Sequence, residues 1–383
     1  MKKALKLIGS FIAGACIGLI GVCVGIYLVS GMSFETFGEK IAAVNGLKAA
    51  GIAGMIIVSM ILSFFLQVIL HEGGHLVCGL ATGYRFVSFR ILSLTIIRQN
   101  GKLCVKRFSV AGTEGQCLLA PPDKPLQEIP CVLYNLGGVL ANLLMAAIAI
   151  FALIAVDGMP YPLKIFLGVF AFAGIILGLM NGIPMKIGGI GNDADNMRLL
   201  LKDKKSKQAM VTQLQVNALV QNGVRPKDMP EEWFRQEGET DYRNALQTTI
   251  RLMYIGRLQD REEWETAYHE LEEMMSHKDE IIGLFAKEIE CELLCTALVT
   301  GRTERAEEIY TDKLAAYIRQ YKNVMSSKQR ILCILALYRE KDAARAKEIY
   351  TAVCLKKDKY LMQGEVNSDI ALMKSILTAE NVL

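Results

Sequence analysis

The stretch Phe64-Phe65-Leu66-Gln67-Val68-Ile69-Leu70-His71-Glu72-Gly73-Gly74-His75 decides how this chain is read. It closes an apolar run from Leu47 to Leu70 that is interrupted only by Lys48, Ser59, Ser63 and Gln67. Residues i and i+4 share a helix face, so one uninterrupted helix presents the imidazoles of His71 and His75 side by side. Glu72 falls on the adjacent flank, where a carboxylate can act as general base on a water activated by a metal. Ionisable groups are expensive in lipid, so such a cluster in an apolar segment points to function. The chain has four histidines, and both of those in its apolar half lie in this pentapeptide. A chance occurrence is on the order of one in a few hundred.

Working outward, apolar residues are concentrated in the first half and make up 52% of the 383-residue chain. A basic start, Lys2, Lys3 and Lys6, precedes an apolar run from Leu7 to Val29. That run is longer than the apolar part of a usual signal peptide, so an uncleaved span is expected. The motif helix is the second span, Cys131 to Val156 the third and Leu163 to Met180 the fourth. Between the second and third, Arg85 to Ile91 alternates in strand fashion. Asn100-Gly101 between β-prone segments predicts a hairpin.

After the fourth span, Pro184 breaks the helical ladder, and Gly188, Gly189 and Gly191 make the next stretch loop-like. Asp193 and Asp195 follow. Three protein ligands are usual for catalytic zinc, and these carboxylates are the candidates for the third. Residues two apart on a helix point about 200° from each other, so one of the two is expected to ligate. His269 and His277, in the polar half, read as surface residues.

The second half is helical, with Trp264-Glu265-Thr266-Ala267-Tyr268 loosely repeated as Ala306-Glu307-Glu308-Ile309-Tyr310 and Ala346-Lys347-Glu348-Ile349-Tyr350. This predicts tetratricopeptide-like helical hairpins or a generic helical array. The fold class expected is therefore mainly α. A bundle of about four transmembrane spans with a small membrane-associated β-hairpin (residues 1–200) precedes a soluble helical repeat-like domain (residues 201–383).

By the positive-inside rule, the N-terminal lysines, the basic β-segment and the cluster Lys202, Lys204, Lys205 and Lys207 all belong on the cytoplasmic side. A bacterial cell membrane is the expected location. A net charge of +4 gives no reason to expect nucleic acid. The ten cysteines show no close CxxC pair and read as reduced thiols.

The HExxH stretch ending an apolar helix, with a later Asn-x-x-Pro ahead of an aspartate, resembles the site-2 proteases, the intramembrane zinc metallopeptidases. The resemblance covers roughly Leu47 to Leu200. It implies Zn2+ held by His71, His75 and Asp193, with Glu72 catalytic and Asn181 and Pro184 as the Asn-x-x-Pro. Gly138-Val139-Leu140-Ala141-Asn142 is similar to the family's Gly-Pro-x-Ala-Asn, whose asparagine is implicated in handling substrate. Val139 stands where that pattern has proline. Ala194 stands where the family usually has a glycine after the aspartate, and the gap from Pro184 to Asp193 is longer than in many members, so Asp195 stays open as ligand. An interhelical hydrogen bond is the other reading of Asn142, and a plain helix terminator that of Asn181 and Pro184.

The expected activity is hydrolysis of peptide bonds in or near transmembrane segments of membrane proteins or peptides. The partners expected are the lipid bilayer, the substrate and a cytosolic protein held by the C-terminal helices. The competing reading is a catalytically silent membrane anchor whose helices scaffold partners.

Overall fold

The computed structural model describes Ser33, Glu35, Thr36, Glu39 and residues 46–99, 101–108, 115–236 and 238–383. The span expected from Leu7 to Val29 lies outside the described residues. Among those described, three helices are long and apolar enough to cross a membrane. They are α1 (Gly46–Ala81), α2 (Val132–Ala155) and α3 (Tyr161–Gly182).

The chain divides into two compact units: residues 1–71 with 139–180, and residues 72–138 with 181–383. In the first, Ser59, Ser63 and Gln67 of α1 are buried, whereas Ile57, Val58, Ile61, Leu62, Phe65 and Leu66 are exposed. Polar groups inside and apolar groups outside invert the pattern of a water-soluble helix and suit an apolar surrounding. The three buried polar residues recur every fourth position, a stripe that drifts by about 40° per step and leads to His71. Ala146, Ala149, Phe170 and Ala171 form the core between α2 and α3, with Leu70 packed against it. Gly174 and Gly178 let the helices meet closely. A Cβ on Gly174 would stand 2.6 Å from the Gln67 amide nitrogen, and one on Gly178 would stand 2.6 Å from Leu143.

The second unit opens with a four-stranded antiparallel sheet in the order β3-β2-β1-β4. Its strands are β1 (Arg85–Ile91), β2 (Leu94–Gln99), β3 (Lys102–Arg107) and β4 (Gly115–Ala120). The expected hairpin is β2–β3, with Gln99 opposite Lys102 and Gly101 at a φ of 77°. The β-element is larger than the sequence suggested, because β4 pairs with β1 from a segment without clear alternation. A register shift between Phe86 and Ser88 also breaks the simple alternation of β1. Arg90, one of the basic residues of this segment, is 1% exposed, and its guanidinium donates to the Leu92 carbonyl at 2.7 Å.

The stretch expected to be loop-like after Pro184 is a miniature hairpin of β5 (Lys186–Ile187) and β6 (Ile190–Gly191). Its two-residue turn puts Gly188 and Gly189 at φ 59° and 89°. A type I′ turn needs that left-handed pair, and glycine adopts it without steric penalty.

Helices α4 (Asp193–Lys202) and α5 (Lys204–Gln221) follow. Leu200 and Val211 share one core with Tyr84, Cys117, Leu119 and Tyr134, so the sheet and these helices are packed as one body. Then come α6 (Ala245–Asp260), α7 (Trp264–Ser276), α8 (Gly283–Val299), α9 (Thr303–Ile309) and α10 (Asp312–Tyr321). The last are α11 (Ser326–Ile334), α12 (Ala343–Lys356) and α13 (Gln363–Ala379). One apolar core runs through them, from Ile255 and Leu271 to Met373 and Leu377.

Two of the loosely repeated segments make equivalent contacts. The Arg302 guanidinium grips Glu265 and lies 4.1 Å over the Tyr268 ring; Arg339 grips Glu307 and lies 4.8 Å over Tyr310. The eight cysteines among the described residues are free thiols.

Candidate metal centre

Helix α1 carries His71, Glu72 and His75 without interruption, so the two imidazoles lie one turn apart on one face. The protons on both rings follow from their partners. Asn142 on α2 donates both amide protons to Gln67, at 2.9 Å to its carbonyl and 2.7 Å to its side-chain oxygen. The Gln67 amide nitrogen in turn donates to the Phe170 carbonyl at 3.0 Å. With its NH2 committed, Asn142 turns its oxygen to His71 Nδ1 at 2.7 Å, and that nitrogen must donate. His75 Nδ1 lies 2.7 Å from the Tyr134 carbonyl, which can only accept. Both rings are thus fixed with the proton on Nδ1, which directs Nε2 to ligation.

Asp193 opens α4, where its carboxylate is favoured by the helix N-terminus. Its Oδ2 is 3.4 Å from His75 Nε2. That is too long for a charge-assisted hydrogen bond, for which about 2.7–2.9 Å is usual. It matches the ~3.3 Å separating two ligand atoms that are each about 2.0–2.1 Å from a tetrahedral centre. His71, His75 and Asp193 each offer one ligand atom, all within 4.8 Å of one another, and the three can together hold a metal ion.

Close backbone approaches keep this site tight. A Cβ on Gly137 of α2 would stand 2.4 Å from the Gly74 carbonyl oxygen and 2.9 Å from the His75 nitrogen. Any larger residue there pushes α2 off the motif. A Cβ on Gly115, at the start of β4, would meet the Glu72 side chain at 2.7 Å. The strand therefore leaves a notch in which the Glu72 carboxyl group lies. Tyr134 is buried and braced on three sides. Its hydroxyl donates to the Cys117 carbonyl at 3.1 Å, its ring stacks on Tyr84, and its carbonyl holds His75.

The other expected site residues are placed differently. Asp195 is 3% exposed and its carboxylate pairs with Arg198 at 2.6 Å, while the backbone of Gly191 packs against it; it is not in the ligand group. Asn142 serves His71 through an interhelical bond, which is the alternative the sequence left open for it. Asn181 is half-buried in the last turn of α3, and Pro184 is exposed just after that helix ends. The loop between them and Asp193 is held by Asn192, which the sequence did not single out. Its side chain caps α4 through the Asp195 amide at 2.9 Å, accepts from the Met185 amide at 3.2 Å and donates to the Ile183 carbonyl at 2.7 Å.

Gln67, Tyr134 and Gly115 were also missed. Only Gln67 carried a signal, as the single amide in an apolar run, four residues before His71. Compared with known proteins, the chain matches no family model, no curated protein and no solved structure.

Proposed function

We propose that this chain is an intramembrane zinc metalloprotease that hydrolyses peptide bonds within or near membrane segments of proteins or peptides. One observation carries the reading: two imidazoles, each fixed with the proton on Nδ1, share one group with a carboxylate, and a second carboxylate lies beside them. The outward apolar and inward polar faces of α1 agree with a membrane setting. The motif's likeness to site-2 proteases points the same way.

The donor set of two imidazoles and one carboxylate fits zinc, with a position left for water or substrate. Zinc held there would supply Lewis acidity, making water a nucleophile at neutral pH and polarising the scissile carbonyl. The protein's own residues do the rest. Gln67 and Asn142 hold His71 in one tautomer and one orientation, and the Tyr134 carbonyl does the same for His75. Glu72, seated against Gly115, takes a proton from the attacking water and passes it to the leaving amine nitrogen. Partial burial of these residues strengthens their mutual interactions.

The reading extends to a multi-pass bacterial membrane protein with its termini in the cytoplasm, whose C-terminal helices form a repeat-like array that recognises partners. The recurring Arg–Glu–Tyr contacts support such an array.

Purified protein in detergent is expected to cut a transmembrane peptide, to stop when zinc is chelated and to resume when zinc is restored. Cleavage that persists through exhaustive chelation contradicts the proposal, and absence of cleavage favours a silent anchor. Asn142→Ala removes the acceptor of His71 Nδ1. It is expected to weaken zinc binding about 10–100-fold, as loss of such supporting bonds does elsewhere. Competition with a metal-sensitive dye measures this, and unchanged affinity would deny Asn142 its positioning role.

A further inference from the structure

A second chemical centre lies among the C-terminal helices, in residues that the metal site does not use. Glu288 and Glu292 of α8 are four residues apart on one face, as are Glu365 and Asp369 of α13. Like charges at this spacing weaken a helix, and here two such pairs converge. Three of the four carboxylates are matched. Glu288 accepts from Lys328 Nζ at 2.6 Å and from the Tyr317 hydroxyl at 2.5 Å. Glu292 pairs with Arg330 at 2.7 Å; Asp369 pairs with Arg330 at 2.7 Å and accepts from Ser326 at 2.5 Å. Glu365 makes no hydrogen bond or ion pair among the described residues.

Glu365 is exposed, and its side chain lines a cavity. Two cavities, of about 250 and 410 Å³, meet at Glu288, Met325 and Glu365. Phe285, Tyr317, Tyr321 and Tyr360 line the larger one. Gln116, next to the Gly115 that abuts Glu72, lines it as well.

We propose that this double cavity is a docking site for a basic polypeptide segment, one Lys or Arg side chain of which seats against Glu365 and Glu288. Charge selects the cation: four carboxylates face two cationic side chains, and the unmatched one projects into the space. The aromatic wall adds cation–π attraction and accepts the apolar stem of such a side chain. The size selects a polypeptide over a free amine, since the two chambers and their apolar lining exceed what one small cation fills.

Partial desolvation in the cavity, with the negative charges of Asp369, Glu288 and Glu292 added, pushes the Glu365 carboxyl up to about 7, against the opposing pull of Lys328. Arg330, Tyr317, Tyr321 and Tyr360 are the other charged or titratable groups around the cavity. An arriving cation favours the ionised form of such a carboxyl group. Carboxyl groups raised in this way cluster at functional sites.

The test uses the full chain in detergent and a fluorescent twelve-residue peptide with one lysine, read by anisotropy. Binding is expected to strengthen as pH rises through about 7. Glu365→Gln is expected to weaken it about tenfold or more, the loss typical of a charge-assisted bond, and Glu365→Asp to retain it. The proposal is overturned if the Gln variant binds equally well. It is also overturned if a peptide with alanine for lysine binds equally, or if spermidine binds and the peptide does not. The readout is binding, so the outcome is independent of whether the metal site hydrolyses anything.

Discussion

Glu72→Gln is expected to lower the rate of peptide-bond cleavage by about 10²–10⁴-fold, the usual contribution of a general acid–base group. The substitution keeps the shape of the side chain and so its fit against Gly115, where a single added Cβ would stand 2.7 Å from it. It leaves His71, His75 and Asp193 untouched. Zinc content and thermal unfolding should therefore match the native chain, and the loss should fall on the chemical step alone. Measuring both rate and metal content on the same purified preparation separates this from collapse of the site. Cleavage within a few-fold of native would remove Glu72 from the mechanism and leave another base to be found.

Asp193→Ala should release the metal. Two imidazoles from one helix cannot by themselves surround an ion that prefers four ligands, and in the proposed site the third protein ligand is Asp193, at the start of α4. Zinc is expected to fall from about one per chain toward none, with activity following. Asp195→Ala makes the contrast informative. That carboxylate is turned to Arg198 and its own loop, so its removal should loosen the turn at Gly191 and leave the zinc in place. Zinc retained in Asp193→Ala and lost in Asp195→Ala would move the third ligand two residues along the helix.

The sequence made some of this legible because the information is local. His71 and His75 need only the periodicity of one helix, and Asn100-Gly101 needs only the turn preference that sets a two-residue hairpin. Asp193 entered through an order of motifs along the chain rather than through any local signal. What stayed hidden depends on partners far away in sequence. Asn142 is 75 residues from Gln67, and nothing near either says that the amide group of one commits the proton of His71. Gly115 looks like an ordinary strand terminus until Glu72 is beside it. Arg90 is one basic residue among several in its segment, and its burial beside the Leu92 carbonyl is a property of the folded sheet. The doubled carboxylates of α8 and α13 were visible as like-charge pairs at helical spacing. Their convergence on one cavity, with Glu365 left unmatched, was not.

The most direct measurement is X-ray absorption at the zinc edge on the purified chain and on Asp193→Ala. The expected spectrum of the native protein shows about one zinc per chain, with nitrogen and oxygen ligands near 2.0–2.1 Å and the outer-ring scattering of two imidazoles. That signal should disappear with Asp193. A native chain without zinc, or zinc whose spectrum lacks imidazole, would contradict the metal centre and the protease built on it.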